Sequence, residues 1–408
     1  MLDADETDAS EDFAVLWTAS AVRERCERIY AAGRAGALAH FSINEARLDA
    51  VADYVIETMR SAYPSLEIPL HSRWRHFEVG GIDRWARLRA GLGRLPRDEI
   101  ARTGFDLAVV SVLLDAGAGP AWRYREAESG HLISRSEGLG VASLRLFESQ
   151  AFGARADRVA LDDINADTLG RAFQVSAENP LVGLEGRAQL LNRVGRAIAA
   201  APTFFGTEPR VGNLFDFFRV MAPSGVLPAA TILIVLLNAL AGVWPSQTVR
   251  NGVALGDVWE HPAIVTADAT RGLVPFHKLA QWLAYSLIEP LEAGGIAVSD
   301  LNGLTGLAEY RNGGLFIDLG VLVPQAPAAL QEVHAVGSEI VVEWRALTVA
   351  CLDRVANRVR AKLGRTAAEF PLAKVLEGGT WRAGRRIAAA RRPGGAPLIR
   401  IASDGTVF

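Results

Sequence analysis

Three stretches of this sequence concentrate side chains able to bind or react. The first, HSRWRHFEVGGIDRW over His71–Trp85, sets His71, Arg73, Arg75, His76 and Glu78 beside Trp74 and Trp85 around Gly80-Gly81. Arginine offers a fork of donors that fits phosphate or carboxylate. Tryptophan supplies an apolar wall with one donor. Paired glycines let backbone approach a ligand, and the start of the next helix attracts an anion. The same residues also suit a polar seam of matched charges. The second stretch, VPFHKLAQWLAYSLIE over Val274–Glu289, places Lys278, Gln281, Trp282 and Tyr285 on one helix face, with His277 just ahead. Spacings of three, four and seven residues put side chains on one side of a helix. That stripe either lines a polar pocket or lets Lys278 reach solvent from a covered surface. The third stretch, SDLNGLTGLAEYRNGGLFIDLG over Ser299–Gly320, gathers Asp300, Glu309, Tyr310, Arg311, Asn312 and Asp318 between glycines. Acids with an arginine and a tyrosine on a rigid turn can hold a sugar and transfer protons. The alternative is a turn held by Asp and Asn side-chain hydrogen bonds. The apolar LFIDLGVLV beside it points to burial, and a buried carboxylate needs a partner.

Many chemistries are excluded. The chain has 408 residues, a net charge of −3 and 50% hydrophobic residues, which is ordinary globular composition. That charge recruits neither nucleic acid nor an anionic membrane. Cys26 and Cys351 are its only cysteines, too few for a disulfide framework and fitting a reducing cytoplasm. There is no HExxH, no GxSxG elbow, no Walker A loop and no GxGxxG after a strand. The seven histidines are scattered, so no metal site is expected from spacing. A cofactor-free reaction on a small molecule, or a binding role, is what remains.

The elements that must position these groups read as mainly helical. Periodicity predicts helices over Thr18–Arg34, Ile82–Leu92, Arg97–Leu114, Ser136–Phe147, Leu184–Ala200, Asn213–Val220, Val274–Leu291 and Ser338–Leu363. Another is expected through about Arg60, with Ser42 as N-cap and Glu45 as its capping-box partner. Gly225–Trp244 is uncharged and about long enough to span a bilayer, but Pro228, Asn238 and Pro245 favour a buried core helix. Strand signals are few. Tyr310–Leu322 reads as a hairpin or strand-turn through its Asn-Gly-Gly, and Leu398–Phe408 as a hairpin through Asp404-Gly405. No βαβ alternation runs through the chain, so the class is mainly α with small β-hairpins. Residues 1–14 read as an acidic, solvated tail, the opposite of a signal peptide. A boundary near Ala201–Gly212 would divide a helical lobe over 15–205 from a second over 206–408, unless the two form one compact domain. The arginines of Arg382–Arg400 read as a solvated basic face or an anion contact.

Several segments bring a family into view. HSRWRHFEVGGIDRW, DLAVVSVLLDAGAGPAWRYRE, SEGLGVASLRLFES, GDVWEHPA, VPFHKLAQWLAYSLIEPLE and AEYRNGGLFIDLGVL together resemble the uracil-catabolism protein family first named from fungi, the fourth component of that pathway. The resemblance runs from about Ala35 to the C-terminus and implies a role in a pyrimidine breakdown route that passes through a ribosylated urea. A shorter likeness joins it. Leu304-Thr305 and Ala308-Glu309-Tyr310-Arg311 are similar to the Leu-Thr and Ala-Asp-Tyr-Arg segments of queuosine-salvage glycohydrolases. Here the acid is Glu, and Asn312-Gly313-Gly314 departs from that family's following residues. That group has a helical body like the helix-hairpin-helix DNA glycosylases, which implies such a body here. Both resemblances imply cleavage of a ribose C1–N bond, with ribosylurea or its 5′-phosphate as substrate. An oxocarbenium-like transition state wants a carboxylate near C1, a base for water and a proton for the departing nitrogen. Glu309 or Asp318 would supply the carboxylate, with Asp300 in reserve. Tyr310 and Arg311 would orient hydroxyls or the urea carbonyl. Arg73, Arg75 and His76 would hold a phosphate, with Lys278 competing for that task, and Trp282 would form a wall. Cleavage of an amide C–N bond and a noncatalytic binding role remain the alternatives.

Overall fold

The computed structural model describes residues 11–244 and 246–402. Helices dominate, and the strands are two- or three-residue pairs, so the chain is mainly α. Its contacts fall into two units built from interleaved segments. One holds the described residues up to His71, then Ser246–Gln281 and Asp300–Ala402; the other holds Ser72 to residue 244 and Trp282–Ser299. The helices Leu184–Ala200 and Leu214–Met221, on either side of Ala201–Gly212, belong to the same unit.

In the first unit the longest helix, Glu339–Leu363, is buried along most of its length. Ala19–Arg34 and Leu48–Ala62 pack on it, as does Tyr310–Asp318. Thr18 caps the first of these by accepting the Ala21 N–H. Tyr310–Asp318 also packs against Trp381–Arg391, where Gly384 lies directly on the Arg311 carbonyl and leaves no room for a side chain. Two antiparallel strand pairs brace this unit, Phe41–Ile43 with Leu322–Pro324 and Val258–Glu260 with Leu273–Pro275.

In the second unit Arg97–Leu113 is enclosed on nearly every side and packs with Arg135–Glu148 and Leu214–Met221. Buried arginines fix its loops. Arg84 pairs with Glu126, and Arg187 gives its guanidinium to the carbonyls of Leu114, Ala116 and Gly117. The apolar Gly225–Trp244 contributes the shorter helix Ala229–Ala239, mostly buried, and no helix among the described residues is long and apolar enough to cross a membrane.

Four local expectations are corrected. Ser42 is not a helix cap: it lies in a strand opposite Val323, and the helix begins at Leu48 because Glu45 is drawn to the Tyr30 hydroxyl instead. Tyr310–Leu322 is not a hairpin; its Asn-Gly-Gly lies inside the helix Tyr310–Asp318, and a strand starts only at Leu322. Val274 lies in a strand, and its helix starts at Lys278. Of the acidic tail, residues 1–10 lie outside the described residues, but residues 11–14 are helical and Phe13 joins a core with Leu16, Leu255, Val258 and Leu273. The Asp404-Gly405 turn also lies outside the described residues; Arg400–Ile401 pairs in parallel with Val333–His334.

Candidate functional site

The helix Tyr310–Asp318 starts where it does because Glu309 caps it. One carboxylate oxygen accepts the Arg311 N–H at 2.8 Å and the other the Asn312 N–H at 2.6 Å. These bonds satisfy donors that a helix start otherwise leaves orphaned. Burial raises the Glu309 pKa above the usual carboxylate value, against the opposing pull of the two backbone N–H groups, Lys278 and Arg311. The next turn is unusual. Gly313 lies directly beneath the Trp344 indole, where a Cβ would collide. Asn312 donates to the Leu307 carbonyl at 3.2 Å, but its Oδ1 and the Trp344 Nε1 are buried with no hydrogen-bond partner among the described residues. One is an acceptor and the other a donor, carried beside the same glycine.

The same unit holds a buried ion pair. Asp257 takes the Arg345 guanidinium through two bonds of 2.8 Å, and also accepts the Lys278 backbone N–H and the Trp259 indole N–H. Burial alone would raise its pKa; Arg345 and these donors outweigh it and hold the carboxyl well below the usual range. Arg345 lies over the Phe276 ring at 4.1 Å. His277 adopts φ +46°, a conformation costly for a residue with a Cβ, and its Nε2–H donates to the Leu16 carbonyl at 2.9 Å. Burial lowers its pKa, which favours the neutral ring. Lys278 links the two parts, its backbone on Asp257 and its ammonium acting on Glu309. Gln281 fixes the preceding loop, donating to the Thr305 hydroxyl at 2.6 Å and accepting the Thr305 N–H at 2.9 Å.

The unit that holds Glu309 thus brings Lys278, Gln281, His277, Glu309 and Asn312 into one neighbourhood. Other predicted residues lie elsewhere. Asp318 ends the helix, nine residues beyond Glu309 and ~13 Å along the axis, in a two-bond pair of 2.7 Å with Arg392. Asp300 is exposed in a left-handed conformation at φ +48°. Arg311 covers the Tyr310 ring and donates to the Gly395 carbonyl. His71 pairs with buried Glu377 at 2.8 Å. Arg73, Arg75, His76, Glu78 and Trp282 belong to the other unit. There Arg73 is enclosed against Asp115, Ser111 and His76, and Arg75 meets Glu289 and Glu78. His76 lies 5.9 Å from the Trp282 ring. Asp257, Trp344 and Arg345 are not candidates that the sequence singles out; the GDVWEHPA segment holds Asp257 and the Leu-Thr segment holds Thr305, but nothing local marks Trp344 and Arg345 as their neighbours.

Comparison with known proteins agrees over the whole length. A family model described as "Protein of unknown function (DUF1688)" matches residues 15–408. The chain belongs to this family. The chain is similar to "Protein urg3" of Schizosaccharomyces pombe, 38% identical over 98% of this chain and 100% of that protein. "Uracil catabolism protein 4" of Lachancea kluyveri is 35% identical over 95% of this chain and 97% of that protein. The segments that carry Glu309, Asp257 and Trp344 all fall inside the matched region.

Proposed function

We propose that this chain acts in uracil catabolism as an N-ribosyl hydrolase, cleaving ribosylurea or its 5′-phosphate to urea and the sugar. The observation that carries the reading is the turn at Gly313: a buried carboxylate, an unpartnered acceptor and an unpartnered donor sit within one helical turn and its neighbour. Urea offers the complementary set, an N–H for Asn312 Oδ1 and a carbonyl for Trp344 Nε1. Glu309, with its pKa raised toward the working range of a base, orients or deprotonates the attacking water and balances positive charge at C1. The Lys278 ammonium donates toward the departing nitrogen, or toward a 5′-phosphate where one is present. The helical body suits a DNA-glycosylase-like scaffold, and the name of the Lachancea relative supports the pathway.

Both Glu309 oxygens already hold backbone N–H groups, and that favours one second reading, a noncatalytic binder in which the carboxylate only shapes the turn. Incubation with ribosylurea separates the two. Release of urea and ribose supports the hydrolase. Ammonia without free urea means amide cleavage. Saturable binding without turnover means the binder.

A further inference from the structure

Away from Glu309, the first unit contains a group of ligand-type side chains with no role in that chemistry. His40, Glu339 and Glu343 each turn one ligand atom to within 4.8 Å of the others. Tetrahedral or octahedral coordination at zinc-like bond lengths of about 2.0–2.2 Å puts neighbouring donor atoms roughly 3–3.5 Å apart, so side-chain rotations that close the separations by up to roughly 1–2 Å would complete a shell. Glu339 and Glu343 are one turn apart on the helix Glu339–Leu363. Such like-charge pairs destabilise a helix unless a cation lies between them. Among the described residues neither forms a salt bridge to arginine or lysine; the sole ionisable partner of Glu343 is His261 at 3.4 Å.

The hydrogen bonds leave room for a metal. Glu343 Oε1 accepts the Ala39 N–H at 3.0 Å, and Oε2 accepts the His40 N–H at 3.1 Å. His261 Nδ1 accepts the Ala263 N–H at 3.1 Å, which places the ring proton on Nε2 and makes His261 a donor to Glu343 Oε1. Two of the lone pairs on Oε1 are then in use and only one on Oε2. The remaining Oε2 lone pair is free to bind a cation, and the His261 bond is the kind of outer contact that orients a ligating carboxylate. The His40 ring and the Glu339 carboxylate have no hydrogen-bond partner among the described residues.

We infer that His40, Glu339 and Glu343 bind a divalent transition metal of the zinc class, oriented through His261, with solvent filling the remaining positions. One imidazole and two carboxylates suit zinc or manganese better than a thiolate-preferring ion. The site is independent of the Glu309 reading. The test strips the full chain with chelator, titrates zinc chloride by calorimetry, and records the visible spectrum with cobalt chloride. One metal per chain with submicromolar Kd is expected, together with cobalt d–d bands. The His40→Ala and Glu339→Gln variants, both at partly exposed positions that leave buried Glu343 in place, should each weaken binding at least tenfold. Manganese chloride in place of zinc identifies the preferred ion. No binding below 100 µM, or equal binding by both variants, overturns the inference, since the metal would then sit on other histidines or nowhere.

Discussion

Glu309→Gln separates a cap from a catalyst, because glutamine keeps half of the cap. Its oxygen can still accept one of the two N–H groups now held at 2.8 and 2.6 Å, while its NH2 faces the other. Losing one charge-assisted bond costs about 1.5–3 kcal/mol. Removing a carboxylate whose pKa is raised by burial returns part of that cost. The expected net loss is about 1–2 kcal/mol, the usual range for a cap substitution, and the variant stays folded. Turnover of ribosylurea should fall by about 10²–10⁴-fold, the loss expected when a positioned base is removed. The pH dependence carries a second signature. A raised folded pKa means the native state binds the proton more tightly than the unfolded chain does. That contribution to stability is full below the unfolded value and is lost as pH rises through the folded one. Wild-type stability should therefore decline relative to Glu309→Gln over that span, while wild-type kcat rises through the same titration and the variant shows no such limb. Urea release followed by a coupled assay, with thermal melts across pH, tests both. A folded Glu309→Gln with wild-type turnover refutes the catalytic role.

Other outcomes follow from the same geometry. Asp318→Asn should weaken the tie to Arg392 and lower stability by about 1–3 kcal/mol with kcat nearly unchanged, read by denaturant titration alongside the urea assay. Asp257→Asn leaves the Arg345 guanidinium buried and uncompensated, a loss of about 3–5 kcal/mol in urea unfolding. Because Arg345 and its neighbours depress the Asp257 pKa, its stabilisation is present above the unfolded value and lost as pH falls; the gap between wild type and Asp257→Asn should close on acidification. Trp344→Phe removes an unpartnered buried donor, so stability should hold or rise slightly while KM for ribosylurea increases about tenfold, worth ~1.4 kcal/mol for one lost hydrogen bond. Substrate at a hundredfold excess over Kd should stabilise the wild type by about 2.7 kcal/mol, and Trp344→Phe by correspondingly less.

Much of the helical framework was legible because its signals are local. Thr18 and Asp83 cap helices by accepting an N–H three residues on, and the periodic apolar stripes between them fix helix lengths to within a few residues. Where the sequence misleads, a distant partner decides. Ser42 has the type and spacing of a cap, yet Leu322–Pro324 recruits it into a strand, and Tyr30 takes Glu45. Asn312-Gly313-Gly314 has the composition of a hairpin turn, yet the carboxylate just before it nucleates a helix. The site divides in the same way. Glu309, Asn312 and Lys278 stand out by dense polar chemistry beside apolar runs. Asp257 and Arg345 are 88 positions apart, and neither segment announces the other. The His40, Glu339 and Glu343 group is invisible for that reason too, since its ligands are collected by the fold and not by a spaced motif.

The turn from Glu309 to Gly314 departs from ordinary helical design in several ways at once. A glycine in a helix interior costs about 1 kcal/mol relative to alanine, and this one is required because the Trp344 indole occupies the place of a Cβ. A buried polar atom without a partner costs about 1–3 kcal/mol, and two such atoms, Asn312 Oδ1 and Trp344 Nε1, flank that glycine. A carboxylate kept in the same enclosure is held with its pKa raised. The unit holds other buried polar atoms without a hydrogen-bond partner among the described residues, Arg25 Nη1 and Thr380 Oγ1, although Gln281 meets Thr305 on both sides of its amide and Asp257 meets Arg345 through both oxygens. What sets this turn apart is that the broken rules fall on adjacent groups, and the proposed ligand contact would account for them because the missing partners would arrive with the ligand. Under the proposed function, the waiting acceptor and donor would meet a planar molecule that carries both an N–H and a carbonyl, as urea does.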